Sequence, residues 1–357
     1  MLTHAIRHSL AVIAASVILG LGASASMAAG WDEAKAHEQC KDFVTYGMAE
    51  EGVYGPWFQA MYHHYGWSDC KRTDNDLGSS EVVAAYEAEK NKPQGVVADI
   101  GIAFGPEAAK RGLSLKYVPQ GSDFVPPEYR EAGGGWIGSV VGAVGYTVNL
   151  EAVPNPPKSW ADLLKPEYKG KIKGINPTSG GTGFMAFLAA NHAMGGTETD
   201  RAKGYEFFKK LRNSGNLYDG DCDIPNLERG ECGVKIQYDF YGLSEGVAAM
   251  QAKGVKSAFI VPSDGTIYAP SVLLPNGFTD KPDLAKAILD FAMTDDAAIA
   301  WAKTYARPMK QLFGGLKLPA EATAKWLPES QYKSAVPLKS FPDVGTVAEE
   351  WETAVLK

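Results

Sequence analysis

The chain has 357 residues, 45% of them hydrophobic, and 35 Lys and Arg stand against 42 Asp and Glu, a formal net charge of −7. That balance, without any basic block, argues against nucleic acid or an anionic membrane surface as a partner. The length exceeds what one core usually supports, so two lobes are expected.

The chain opens on "MLTHAIRHSLAVIAASVILGLGASASMAAG". A cation at Arg7, an apolar run from Leu10 to Leu21 and small residues up to Ala28 predict a signal peptide over 1–28, removed on export. The run is shorter than the roughly 20 residues a membrane span needs. The first cysteine, Cys40, lies well beyond it. An exported periplasmic protein without a lipid anchor is therefore expected. Four cysteines, Cys40, Cys70, Cys222 and Cys232, make an even set for an oxidising compartment. Three pairings are possible. Nearness in sequence favours Cys40–Cys70 and Cys222–Cys232, and no Cys-x-x-Cys spacing points to zinc.

"FVTY" reads as a strand, followed by a helix with Trp57, Met61 and Tyr65 at helical spacing. A polar strand follows Cys70. A helix then starts at Ser79 or Ser80, with Val82, Val83 and Tyr86 on one face. "GVVADIGIAFG" is a third strand that leaves Phe104 at its end, and "PEAAKRGL" a short helix. This β-α-β-α-β series predicts a parallel sheet with helices on its faces. "GGGWIGSVVGAVGYTVNL" reads as a strand that crosses to a second lobe near Gly145–Asn149. After a proline-rich break come a strand "YKGKIKGIN", the loop "PTSGGTG" and a helix through Ala193. A helix with Ala202, Tyr205, Phe208 and Leu211 on one face follows. Next are a strand running into "YDFYG", a helix and the strand "SAFIVP". "DGTIYAPSVLLP" carries the chain back, and two amphipathic helices complete the first lobe. The expected division is 29–147 for the first part of lobe 1, 148–262 for lobe 2, and 263–357 for the return. The fold class is α/β, with two lobes, each a mainly parallel sheet flanked by helices, and two crossing strands as hinge. Ligands of open α/β sheets gather beyond the carboxyl ends of the strands. Two such lobes make a cleft that closes by hinge motion.

"PKSWADLLKPEYKGKIKGINPTSGGTGF", "ADIGIAFG", "VPSDGTIYAP" and "AKAILDFAMTDDAAIAWAKTYARP" occur in an order that resembles bacterial extracellular solute-binding proteins of ABC importers. The resemblance covers most of the mature chain. It implies the two-lobe branch that handles ferric iron, polyamines, thiamine, phosphonates and sugar phosphates. It further implies a small-molecule solute and a cognate permease in the inner membrane as partners, no cofactor, no catalysis and a monomer.

In that setting Ser179, Gly180, Gly181 and Thr182 lie between a strand and a helix N-terminus. Unpaired N–H groups there bind anions, and glycine lets the backbone come close. The opposite wall is expected from Tyr238, Asp239 and Tyr241 at a strand end. The two tyrosines suit an anion, an apolar group or ferric iron, although Asp239 and Phe240 interrupt the adjacent pair that iron-binding members show. An amine on the solute, if present, is expected at Asp239 or at a first-lobe carboxylate. Tyr46, Ser79, Ser80 and Phe104 are expected from the first lobe, with Glu50, Glu51, Tyr54 and Trp57 as weaker neighbours. Asp264 and Tyr268 are expected near the return crossing. His63–His64 lacks the spacing for metal ligation from one helix. No nucleophile elbow or Cys–His pair is present. Asp219, Asp221 and Asp223 lack the glutamate of a calcium loop. The expected solute is a small phosphoryl or phosphonate compound, such as zwitterionic 2-aminoethylphosphonate. Ferric iron, a polyamine and a secreted enzyme on the same fold are the alternatives.

Overall fold

Among the described residues, eleven strands join in one mixed sheet with the order β2-β1-β3-β9-β4-β7-β5-β6, while β8 and β10 pair with β4 and β11 pairs with β9. The structure is a computed structural model that describes residues 30–338 and 340–357. The leader expected over 1–28 lies outside the described residues. Trp31–Lys357 form a single unit, which holds every element below.

The strands are β1 (Phe43–Tyr46), β2 (Arg72–Asn75), β3 (Gly95–Gly101), β4 (Ile137–Asn149), β5 (Ile172–Lys173), β6 (Leu217–Tyr218), β7 (Val234–Tyr238), β8 (Ser257–Ile260), β9 (Thr266–Pro275), β10 (Arg307–Pro308) and β11 (Ala335–Pro337). The helices used here are α1 (Glu33–Cys40), α2 (Gly55–Tyr65), α3 (Ser79–Ala88), α4 (Gly105–Lys110), α5 (Gly181–Ala193) and α6 (Ala202–Asn213).

Parallel pairing unites β1 with β2 and β3 at one end, and β5 with β6 and β7 at the other. The two ends are joined by antiparallel long strands. β4 is rich in Val and Gly and buried along all 13 of its residues. Such a run has no polar face and fits a strand covered on both sides. Its first part, Ile137–Ala143, pairs with β9. Its later part pairs with β7 and β8. β9 returns along β4 and reaches β3 through Ser271–Pro275. These two strands cross between the halves of the sheet, the hinge arrangement expected of a two-lobe α/β fold.

Helix α5 explains its own composition. "GTGFMAFLAANHA" is apolar on nearly every face, and Phe184 through Asn191 are all buried. A helix apolar all round belongs in a core rather than on a surface. It packs on β9, β4, β7 and β3 and so touches both halves of the sheet. Its first turn, by contrast, carries only Gly and Thr. Elsewhere large aromatics fill the interior. Trp57 stacks on Trp301 with centroids 5.0 Å apart, and the buried Trp160 indole donates to the Gly265 carbonyl at 3.0 Å. Each such side chain contributes roughly 1.5–3 kcal/mol on burial.

The disulfides are Cys40–Cys70 and Cys222–Cys232, the pairing that nearness favoured. The first holds the end of α1 beside β2, where the Lys71 N–H also donates to the Cys40 carbonyl at 2.9 Å. No helix among the described residues is long and apolar enough to cross a membrane.

Candidate functional site

A cavity of about 630 Å³ opens where the two halves of the sheet meet. From the first half come Tyr54 at the start of α2, Asp76 after β2, Ser79–Glu81 at the start of α3, and Asp99 on β3. From the second half come Ser179–Gly183 at the start of α5, Lys235 and Tyr238 on β7, and Tyr241 and Glu245 just beyond it. Ser271 of β9 closes the rear.

The starts of α3 and α5 face each other. The Ser79 hydroxyl accepts from the Gly101 and Gly181 N–H groups, both at 3.1 Å. The Ser80 hydroxyl donates to the Ser179 carbonyl at 2.7 Å, and the Ser80 N–H points to the same oxygen at 3.4 Å. The approach needs glycine. A Cβ on Gly101 would stand 2.5 Å from the Gly181 Cα, inside any permissible contact. Two helix N-termini, each carrying partial positive charge, therefore converge on one wall. Part of the loop expected to cradle an anion is already used: the Gly181 N–H and the Ser179 carbonyl are spent between the halves. Helical N–H groups of the first turn, at Thr182 and Gly183, have no partner within the helix.

Lys235 supplies the cation that the sequence reading did not single out. It is the cationic side chain among the described lining residues, and its ammonium makes no ion pair among them. Burial pushes its pKa down, with Glu245 and Asp223 opposing.

Asp99 lies opposite in origin. Its Oδ2 accepts from the Ser271 hydroxyl at 3.2 Å and the Tyr241 hydroxyl at 3.5 Å. Burial pushes its carboxyl up to about 7, while the Ser271 and Tyr241 hydroxyls and the nearby Tyr54 oppose the shift and Asp74 adds to it. Burial also holds the Tyr54, Tyr238 and Tyr241 phenols above their ordinary range, so they are neutral hydroxyls at neutral pH.

Of the residues expected from sequence, Ser79, Ser80, Ser179, Gly180, Gly181, Thr182, Tyr238 and Tyr241 lie on this cavity. Five do not. Tyr46 turns into the core, where its hydroxyl donates to Glu89 at 2.8 Å and its ring meets Tyr86. Phe104 is buried with its ring edge against Phe184. Asp239 faces away from the cavity, so the expectation that it receives an amine is corrected. It is fully buried, paired with Arg307 at 2.7 Å, and accepts from the Ala143 N–H at 3.0 Å. Asp264 instead accepts from the Trp160 and Ala161 N–H groups, at 3.0 and 3.2 Å. Tyr268 stacks on Tyr332 beside Arg307. Trp57 belongs to the core, and Glu50 pairs with Arg72.

Comparison with known proteins bears on the fold. Residues 96–334 match the family model described as bacterial extracellular solute-binding protein. The fold superposes on the periplasmic binding protein AfuA from Actinobacillus pleuropneumoniae with exogenous fructose-6-phosphate bound, at a TM-score of 0.66 and 21% identity, over 88% of this chain and 98% of that one. It superposes likewise on iron-bound HitA from Pseudomonas aeruginosa, at 0.62 and 19% identity, over 88% and 98% of the two chains. The molecule is thus a two-lobe periplasmic binding protein in architecture. A probable ABC transporter periplasmic-binding protein of Sinorhizobium fredii is 26% identical over 82% of this chain and 78% of its own. The chain belongs to the bacterial extracellular solute-binding protein family, whose members serve ABC transporters.

Proposed function

We propose that this protein captures a small phosphoryl- or phosphonate-type solute, of which 2-aminoethylphosphonate is a representative, and delivers it to an ABC permease. The observation that carries the reading is the unpaired Lys235 ammonium on a cavity wall that also holds the starts of α3 and α5. An anion there gains a charge-assisted hydrogen bond and two favourable helix ends, and it relieves the cost of a half-buried lone cation. Lobe 1 contributes Ser79 and Ser80, and lobe 2 contributes Ser179–Gly183. A solute that bridges them favours the closed arrangement over an open one. Capture and release need no bond to be made or broken, and the protein acts as a monomeric carrier, exported by its leader without a lipid anchor.

A second reading has its own observation. Tyr54, Tyr238, Tyr241 and Asp99 share one cavity, with the Tyr238 and Tyr241 rings 6.4 Å apart. Such oxygens suit ferric iron. A polyamine would use the carboxylates Asp76, Glu81 and Asp99, but it meets Lys235 as a repulsive neighbour.

A thermal-shift panel of phosphonates, phosphate esters, ferric salts and polyamines decides among them. A ligand selective for the native state raises the midpoint with its concentration. The expected result is a shift with phosphonates or phosphate esters. A shift with ferric salt alone, accompanied by colour from tyrosinate coordination, overturns the anion reading. So does a shift with polyamines alone.

A further inference from the structure

Asp99 is a carboxylate within an otherwise apolar strand, and one of its oxygens is unaccounted for. Oδ2 has Ser271 and Tyr241, whereas Oδ1 is buried with no partner. The Tyr238 hydroxyl is also buried without a partner. Both residues line the same cavity. A buried polar atom left unpaired is costly, and more so if charged. Native proteins hold few such atoms, and two on residues that line one cavity mark a place that a ligand completes.

The surroundings define the chemistry of that ligand group. Oδ1 of a carboxylate calls for a donor. Tyr54, Tyr238 and Tyr241 line the same cavity, and aromatic faces favour a cation. Lys235 and the start of α5, from the other half of the sheet, occupy the anion end. An ammonium supplies donors to Oδ1 and to the Tyr238 oxygen at once, and neutralises the carboxylate.

We propose that Asp99 is the receptor for a protonated amine on the solute, with the Tyr238 hydroxyl as its second acceptor, so that the protein selects aminated anions over their simple analogues. The proposal rests on the anion reading for the far end of the solute only. Its own end can be tested separately.

The test is calorimetric titration of the mature protein with 2-aminoethylphosphonate, ethylphosphonate and putrescine. The expected preference for 2-aminoethylphosphonate over ethylphosphonate is about tenfold or more, as for a charge-assisted pair. Asp99→Asn should abolish that preference. If Asp99→Asn does not fold, Tyr238→Phe provides the measurement and should reduce the preference by several-fold. Equal binding of the two phosphonates by the unsubstituted protein overturns the amine site and leaves the anion wall standing. A preference that survives both substitutions also overturns it. Binding of putrescine alone, lost in Asp99→Asn, supports the amine site and removes the anion reading instead.

Discussion

The two walls of the cavity are built from different materials. The second half of the sheet presents Lys235 and the glycine-rich start of α5, where backbone N–H groups and one ammonium make the wall a donor. The first half presents Asp76, Glu81 and Asp99, which make it an acceptor, although the start of α3 adds its own N–H groups at the junction. Glu245 is the exception on the donor side, and it packs against Gly52 of the opposite half. A cavity polarised in this way orients its occupant. On the proposed reading, a solute with an anion at one end and an amine at the other meets complementary charge on both walls only one way round.

The largest way to break the contrast is to remove the support behind the donor wall. Asp239 lies between Tyr238 and Tyr241 and is held by Arg307. Arg307→Met leaves a buried carboxylate without its partner, and should lower the unfolding free energy in urea by about 3–5 kcal/mol. Arg307→Met with Asp239→Asn should recover part of that loss.

The acceptor wall is tested next, through pH. The Asp99 carboxyl is raised to about 7 from 3.8. Between those values the folded state keeps a proton that the unfolded state sheds. Stability from this group therefore falls as pH rises through that window, with a slope of up to about 1.4 kcal/mol per pH unit. Tyr54, Tyr238 and Tyr241 remain neutral throughout, and Asp74, also raised by burial, adds a smaller slope of the same sign. Unfolding measured across pH 4 to 8 should show the decline in the unsubstituted protein and a flatter curve in Asp99→Asn.

Lys235→Gln sharpens the donor side. Affinity for ethylphosphonate should fall by roughly 1.5–3 kcal/mol, the value of a hydrogen bond to a charged group. Unfolding free energy should hold or rise, since a half-buried ammonium is no longer desolvated. The smallest effect belongs to the junction. Ser79→Ala deprives the Gly101 and Gly181 N–H groups of their shared acceptor, at a cost of about 1 kcal/mol in solute affinity by the same titration.

What was legible in the sequence was whatever a local signal marks. Ser79, Ser80 and Ser179–Thr182 lie where Ser and Gly precede an apolar helix, and Tyr238 and Tyr241 where a strand stops. The crossing strands were legible because β4 and β9 are long apolar runs with no helical spacing. Asp99 and Lys235 were not read, because each lies inside a strand whose end drew attention instead. A signal was present: a charge in "VVADIG" or "GVKIQY" is out of place in a buried strand. Tyr46 and Phe104 were misplaced because strand ends were taken to face the cavity. Alternation turned Tyr46 toward α3, and α5 covers Phe104. Asp239 was misread for want of a long-range fact, since its partner Arg307 follows 68 residues later.

Arg307 has a further neighbour. Its guanidinium lies 4.9 Å from the Trp326 ring centroid, while Trp326 donates its indole N–H to the Ala302 carbonyl. Indole emission responds to a cation at that range. Asp239 and Arg307 therefore link the segment that carries Tyr238 and Tyr241 to a native fluorophore. A displacement of Asp239 would carry with it the charge beneath Trp326, so Trp326 emission is an unlabelled gauge of the Asp239–Arg307 pair.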